Sequence, residues 1–91
     1  MPEAFRDNEE RERFELDVDG PVAFVTYRKT DGAITLVHTE VPPELGGKGV
    51  GSRLVRGLLD IVRAGGAKVR PRCPFVRGYI EKHPEYQDLL A

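Results

Sequence analysis

The 91-residue chain lacks several features, and each shortage excludes a class of protein. Its one cysteine, Cys73, cannot form an internal disulfide, so a reducing, cytoplasmic location is expected. No apolar run approaches the roughly 18 residues that span a bilayer, and the charged N-terminus lacks the apolar core of a signal peptide, so no membrane association is expected. Cysteine and histidine do not recur at metal-site spacing, so no metal is predicted.

An excess of charge of one sign is also missing. The 14 basic and 15 acidic side chains give a formal net charge of -1. Because nucleic-acid affinity depends on contacts to phosphates, this balance argues against a nucleic-acid partner. The first 20 residues are rich in acidic groups and the second half is basic, so a local anion site is still compatible with the near-neutral total.

The first half of the chain has the alternating pattern of half-buried strands, interrupted by turn signals at Asp19-Gly20 and Asp31-Gly32. The predicted strands are residues 14–18, 21–29 and 33–41. Strict alternation places one set of side chains on a single face of the third strand, namely Ile34, Leu36, His38 and Glu40.

The second half has helical periodicity over residues 49–64, which Gly65-Gly66 ends. A short strand over 67–72 and a helix over 75–82 follow. This order predicts an α/β (α+β) fold, a mixed central sheet of antiparallel hairpins plus one parallel β-α-β unit, with helices packed on the sheet. Residues 1–12 are expected to form a charged N-terminal lead-in, and residues 13–91 a single domain.

A glycine-rich loop lies between the third strand and the long helix. Pro42-Pro43 ends the strand. Four glycines then follow within six residues, at Gly46, Gly47, Gly49 and Gly51. Such a loop exposes backbone N–H groups at a helix N-terminus, where they favour a pyrophosphate. The spacing fits neither a P-loop, since Ser52 stands where lysine is needed, nor a dinucleotide fingerprint, which needs a further glycine.

The stretch from Thr39 to Val55 resembles motif A of the GNAT acetyltransferase superfamily. Gly49 and Gly51 match its glycines, whereas Gly46 stands where that motif has glutamine or arginine. The Cys-Pro-Phe segment that begins at Cys73, with the later His-Pro-Glu-Tyr, resembles a small single-domain branch of the superfamily. The resemblance covers about residues 14–90.

This resemblance implies that the chain binds acetyl-coenzyme A and transfers its acetyl group to an amine on a small molecule or a protein. It implies cofactor contacts from one run of residues, Val41, Gly46, Gly47, Lys48, Gly49, Val50, Gly51 and Ser52. The same branch lacks the two helices that help larger members bind the acceptor. A monomer or a weak homodimer is expected.

Four residues are candidates for the chemistry, and each has an alternative interpretation. Glu40 is a candidate general base and His38 a neighbour on the same cleft, or both are solvated strand residues. Cys73 is either a nucleophile for the acetyl group or a small buried side chain. Tyr79 either protonates the departing thiolate, as the resemblance implies, or packs in the core.

Two functions remain open at this point. The first is an N-acetyltransferase in which the amine attacks the thioester directly, or through Cys73. The second is a non-catalytic coenzyme A-binding adaptor or sensor. Glu40 and Cys73 separate them, because only the enzyme needs a base or a reactive thiol.

Overall fold

A computed structural model describes residues 3–91. Its centre is a five-stranded sheet in which the strands lie side by side in chain order. Neighbouring strands are antiparallel except β4 and β5, which are parallel and joined by α1. The predicted mixed sheet with one parallel β-α-β unit is therefore confirmed. The elements are β1 (Glu3–Asn8), β2 (Arg13–Val18), β3 (Val22–Thr30), β4 (Ala33–Glu40), α1 (Val50–Ala64), β5 (Lys68–Pro71) and α2 (Pro74–Lys82). Two 3₁₀ turns cover Pro43–Leu45 and Pro84–Leu89.

Both helices pack on one face of the sheet. The buried stripe of α1 includes Leu54 and Leu58, and α2 adds Val76 and Ile80 to the same apolar cluster. No helix of the described chain covers the opposite face, so polar side chains of an antiparallel sheet are tolerated there. We call these the helix-covered face and the uncovered face. None of the helices in residues 3–91 has the length and apolarity that a bilayer crossing requires.

The strand β1 lies where we expected a charged lead-in. It pairs along its whole length with β2, so it forms an edge of the sheet. Its apolar residue, Phe5, stacks on Phe14 and lies against Gly57 of α1, where an added Cβ would come within 2.9 Å of the ring. Composition hides this strand because its other side chains are mostly polar, and one aromatic contact anchors it to the core.

A β-bulge changes the facing of side chains within β4. In the ladder with β3, Leu36 pairs with Tyr27 and His38 with Thr26, so Val37 is an extra residue without a partner. Before the bulge, Leu36 faces the helices; after it, Thr39 does, opposite the fully buried Val25. The predicted common face of Ile34, Leu36, His38 and Glu40 is therefore wrong for its last two members, because an extra residue shifts the alternation by one.

The far edge of β5 is also paired. Leu90 forms a parallel bridge with Val69, and the Ala91 N–H donates to the Val69 carbonyl at 2.9 Å. The 3₁₀ turn over Pro84–Leu89 fixes this C-terminal segment to α1, because the Tyr86 hydroxyl donates a hydrogen bond to the Asp60 carboxylate at 2.7 Å.

Candidate acetyl-transfer site

The N-terminus of α1 presents free backbone donors to the glycine loop. Gly49 is the N-cap residue in the left-handed region, at φ 72°, and no side chain in residues 3–91 caps the helix. The first intrahelical bond in this turn is donated by Arg53 to the Gly49 carbonyl, which leaves the N–H groups of Val50, Gly51 and Ser52 available. The side chain of Val50 is buried in the core, so only its backbone can face a ligand.

Arg53 holds the loop in place. Its guanidinium donates to the Lys48 carbonyl at 2.8 Å and pairs with the carboxylate of Glu3 on β1. This ion pair raises the pKa of Arg53 and lowers the pKa of Glu3, chiefly through their hydrogen bond. Arg53 is therefore engaged in fixing the backbone at Lys48, whereas the side chain of Lys48 is exposed beside the loop.

A cavity of about 300 Å³ adjoins these free amides between the start of α1 and α2. Phe75 forms one wall and is 45% exposed, and Ser52 and Lys82 contribute polar groups. Gly51 is pressed against the same wall, because an added Cβ would lie 2.8 Å from the Phe75 ring. A side chain at Gly51 would thus push Phe75 into the space beside the amides.

The strands β4 and β5 separate beyond the pair of Leu36 and Pro71. The N–H groups of Arg72 and Cys73 both donate to the Leu36 carbonyl, at 2.9 and 3.1 Å, and the chain then turns into α2. Because β4 continues to Glu40, its last four residues have no strand partner on this side. The opening between the strands starts at the β-bulge.

Cys73 lies at the mouth of this opening with a perturbed thiol. It is 5% exposed, and its Sγ is 3.1 Å from the hydroxyl of Thr39. Burial alone would raise the pKa of Cys73, but the Thr39 hydroxyl and the amides of Phe75 and Val76 outweigh burial and lower it. Cys73 is the N-cap residue of α2, so those amides act through the helix N-terminus although neither makes a capping hydrogen bond to the sulfur.

His38 and Glu40 form the second polar pair, on the uncovered face. His38 Nε2 and Glu40 Oε1 are 3.1 Å apart, and their side chains are 60% and 57% exposed. Both groups are open to water and to an incoming molecule. Alternation places Glu40 and Thr39 on opposite sides of the same strand end, and the bulge determines that Thr39 is the one on the helix-covered side.

Tyr79 lies in a third position, in the cavity beside Ser52. Its ring stacks on His83 with centroids 3.9 Å apart, and the His83 ring nitrogen Nδ1 is 2.8 Å from the Tyr79 carbonyl. Burial raises the pKa of Tyr79, so its hydroxyl holds its proton at neutral pH. The ring packs against the core, as one of the two interpretations expected, and it also lines the cavity. The role of its hydroxyl as a proton donor stays a prediction.

The structure therefore divides the predicted catalytic set. Glu40 and His38 contact each other, whereas Cys73 contacts Thr39 on the other side of β4, and Tyr79 is six residues beyond Cys73 along the chain. Sequence reasoning missed Thr39 as a partner of Cys73. The available signal was its place next to Glu40 in the third strand, but alternation without a bulge turned it away from the helices.

A larger cavity of about 400 Å³ lies at the opposite end of the sheet, between the turn at Asp31-Gly32 and the end of α1. Its lining is mostly apolar and includes Phe14, Ile34 and Val62. It contains none of the predicted site residues. The smaller cavity beside the glycine loop is the one next to the candidate chemistry.

Comparison with known proteins agrees with this arrangement. The family model described as GCN5-related N-acetyl-transferase matches residues 13–89. The NMR solution structure of a GCN5-like candidate N-acetyltransferase from Staphylococcus aureus is 32% identical, with a TM-score of 0.74, over 97% of this chain and 87% of that one. No curated protein matches the chain. The glycine loop before α1, the parting of β4 and β5 and the family match together identify the chain as a member of the GCN5-related N-acetyltransferase family.

Proposed function

We propose that the protein transfers the acetyl group of acetyl-coenzyme A to an amine by direct attack of the amine on the thioester. The observation that carries this proposal is the bulged end of β4. It leaves a solvent-open carboxylate, Glu40, beside the opening between β4 and β5, at the strand end from which the glycine loop leads to the free amides of α1. Acetyl-coenzyme A, when bound, would supply the activated acetyl group.

The residues present fit this cofactor. Free N–H groups at Val50, Gly51 and Ser52 suit a pyrophosphate, because they combine unpaired donors with the positive end of the helix dipole. Gly51 keeps the space beside Phe75 open, since any Cβ there would collide with the ring. Val41 and the residues from Gly46 to Ser52 would form the binding loop.

Glu40 is the proposed general base. An alkylamine is protonated at neutral pH, with a pKa near roughly 10.4, and must lose a proton before it can attack a carbonyl carbon. The carboxylate of Glu40 accepts that proton directly or through water. His38 at 3.1 Å orients the carboxylate and can pass the proton to solvent.

The departing thiolate needs a proton, and Tyr79 is the candidate donor. Its raised pKa keeps the hydroxyl protonated, and it lines the cavity that adjoins the start of α1. An enzyme without this hydroxyl would release the thiolate more slowly, which would lower kcat more than it raises KM.

The proposal is tested by two measurements on the purified protein. Isothermal titration with acetyl-coenzyme A measures binding, and thiol release in the presence of a panel of amines measures transfer. We expect binding, and amine-dependent thiol release that Glu40→Gln reduces. Binding without any transfer would instead identify a coenzyme A-binding adaptor or sensor, and absence of binding at millimolar concentration would overturn both functions.

A route through Cys73 is favoured by one observation, the lowered pKa of a thiol hydrogen-bonded to Thr39. In that route the Cys73 thiolate would take the acetyl group and coenzyme A would leave as its thiol. The amine would then attack the new thioester, which frees the Cys73 thiol and gives the amide. Intact mass after incubation with acetyl-coenzyme A and no amine distinguishes the routes. An added acetyl group that is absent from Cys73→Ala supports the acyl-enzyme, and an unchanged mass together with active Cys73→Ala supports direct attack.

A further inference from the structure

A group of arginine side chains lies on the uncovered face, next to the His38–Glu40 pair. In the sheet, Arg28 of β3 is opposite Thr35 of β4, and Thr35 is opposite Arg70 of β5. Neighbouring strands are about 4.8 Å apart, so the two arginine backbones are separated by about 10 Å across one row. The side chain of Arg70 reaches back across β4, because its Nη1 donates to the Thr30 carbonyl at 3.3 Å. The Arg70 guanidinium therefore lies at β3, two residues along that strand from Arg28.

These guanidiniums have no carboxylate partner within residues 3–91. Arg6 and Arg13, farther along the same face, both pair with Glu15, which is fully buried beneath them. Arg28 and Arg70 form no such ion pair, and both are exposed. The uncovered face thus has two groups of arginines. Arg6 and Arg13 pair with Glu15, whereas Arg28 and Arg70, the unbalanced cluster, have no ion-pair partner among the described residues.

A cavity of about 270 Å³ lies beside the unbalanced cluster. Two guanidiniums, from Arg11 and Arg28, line it, with Glu12 as its one carboxylate, and Val37 at the bulge forms part of the wall. Thr26 also lines it and is paired with His38 in the sheet. Through Thr26, the cavity borders the part of β3 that pairs with His38, two residues before Glu40.

We propose that the acceptor is an amine that also carries an anionic oxygen group, a carboxylate or a phosphate, held by Arg28 and Arg70. This inference rests on the proposed acetyl transfer. In this arrangement the amine of the acceptor lies at Glu40 and its anionic group at the arginines. The planar guanidinium of arginine can bind a carboxylate or a phosphate through two parallel hydrogen bonds. Glu40 is opposite Phe24, four residues from Arg28 on β3, so the backbones are about 13 Å apart. After the side chains reach inward, several ångströms remain for the acceptor itself.

Matched acceptor pairs test the proposal in the full-length protein. One pair is 6-aminohexanoate and 6-aminohexanamide; the other is 3-aminopropyl phosphate and 3-aminopropanol. We expect kcat/KM to favour the anionic member of at least one pair about tenfold, and which pair responds distinguishes carboxylate from phosphate. The double variant R28Q/R70Q should abolish this preference while the KM for acetyl-coenzyme A stays unchanged.

Lys29→Gln is the matched control. Lys29 follows Arg28 on β3, and its side chain lies on the helix-covered side, near the Tyr27 ring. The substitution therefore removes one positive charge from the same strand but from the other face. It should retain the preference. Equal use of anionic and neutral amines by the wild type, or a preference that survives R28Q/R70Q, would overturn the proposal.

A binding measurement decides the anion site even without turnover. Titration of 3-aminopropyl phosphate, followed by amide NMR shifts, should move the signals of Arg28, Thr35 and Arg70, whereas 3-aminopropanol should not. The same spectra report whether R28Q/R70Q is folded. If acetyl-coenzyme A binds but no amine is acetylated, the proposed function fails, and these shifts alone then support or refute the anion site.

Discussion

On the helix-covered face, the polar pair Thr39 and Cys73 lies at the edge of an apolar core, shielded from water. On the uncovered face, the pair His38 and Glu40 is more than half exposed. One strand end supplies three of these four residues, because consecutive residues of a strand alternate between its two sides and the bulge sets which side each one faces. The Thr39 hydroxyl and the α2 amides lower the pKa of the shielded thiol, whereas the carboxylate of Glu40 lies open to solvent. In the proposed mechanism, proton transfer uses the uncovered face, whereas the perturbed sulfur lies on the helix-covered face.

Replacing Glu40 by glutamine should have the largest effect. Loss of a general base typically lowers the rate by roughly 10²- to 10⁴-fold, and we expect about a hundredfold fall in kcat for amine acetylation. The KM for acetyl-coenzyme A should change little because the proposed cofactor site lies at the start of α1. Steady-state kinetics across pH measures both parameters.

Glu44→Gln is the control for this substitution, since it removes an exposed carboxylate just beyond β4. A Glu40→Gln enzyme that keeps kcat within threefold of wild type would remove the uncovered face from the chemistry and leave the route through Cys73.

Glu15→Gln should weaken the fold and change its pH dependence. Burial acts to raise the pKa of Glu15, but hydrogen bonds from Arg13, Arg6 and Asn8 outweigh it and lower the pKa. A lowered folded-state pKa contributes stability above the unfolded value, near roughly 4.3, and that stability is lost as the pH falls through the folded value. Because both guanidiniums reach water, we expect a loss of about 1 to 2 kcal/mol at pH 7.

Urea unfolding at pH 7 and at pH 3 measures this effect. The difference between wild type and Glu15→Gln should shrink at the lower pH. A difference of the same size at both values would show that the carboxylate charge is not what stabilises the uncovered face.

Gly51→Ala should reduce cofactor affinity about fivefold with little change in melting temperature. The new Cβ displaces the Phe75 ring, which is partly exposed and has room to move into the cavity beside the free amides. Gly57→Ala is a matched control, because its Cβ meets Phe5 at a similar distance, 2.9 Å, farther along α1. Titration with coenzyme A compares the two, and equal affinities would mean that the space at Gly51 is not used by the ligand.

Thr39→Val should have the smallest effect, on the reactivity of Cys73. The hydroxyl lowers the pKa of the thiol, so its loss should raise that pKa and slow alkylation by iodoacetamide about threefold at neutral pH. Thr26→Val, on the uncovered face, is the control. If the pH profile of alkylation does not move in Thr39→Val, the amides of α2 alone set the pKa of the sulfur.

The fold was predictable where periodicity and turn signals agree. The strands around Asp31-Gly32, the helix that ends before Gly65-Gly66 and the parallel crossover follow from patterns within short windows of sequence. The strand β1 does not follow from such a local pattern. Its aromatic side chain, Phe5, packs against Gly57, which lies more than 50 residues away in the sequence. A contact between distant parts of the chain makes this segment a strand, whereas its composition alone suggests a solvated segment.

The candidate site was predictable in its residues but not in their grouping. Cys73, Glu40 and the glycine loop were recognisable from residue type and resemblance. Their arrangement depends on one unpaired residue, Val37, and a single extra residue leaves no mark in an apolar-polar pattern that already permits both registers. The contact between Thr39 and Cys73 was therefore not foreseen.

The bridge between Val69 and Leu90 has a consequence for assembly. Unpaired strand edges invite pairing with other chains, and here the outer edge of β5 is occupied by Leu90 and Ala91. The remaining edge, β1, carries Glu3, Arg6 and Asp7, whose alternating charges disfavour a continuous intermolecular sheet. These two edges of the sheet are thereby protected from edge-to-edge aggregation, whereas the end of β4 beyond Leu36 keeps an unpaired edge.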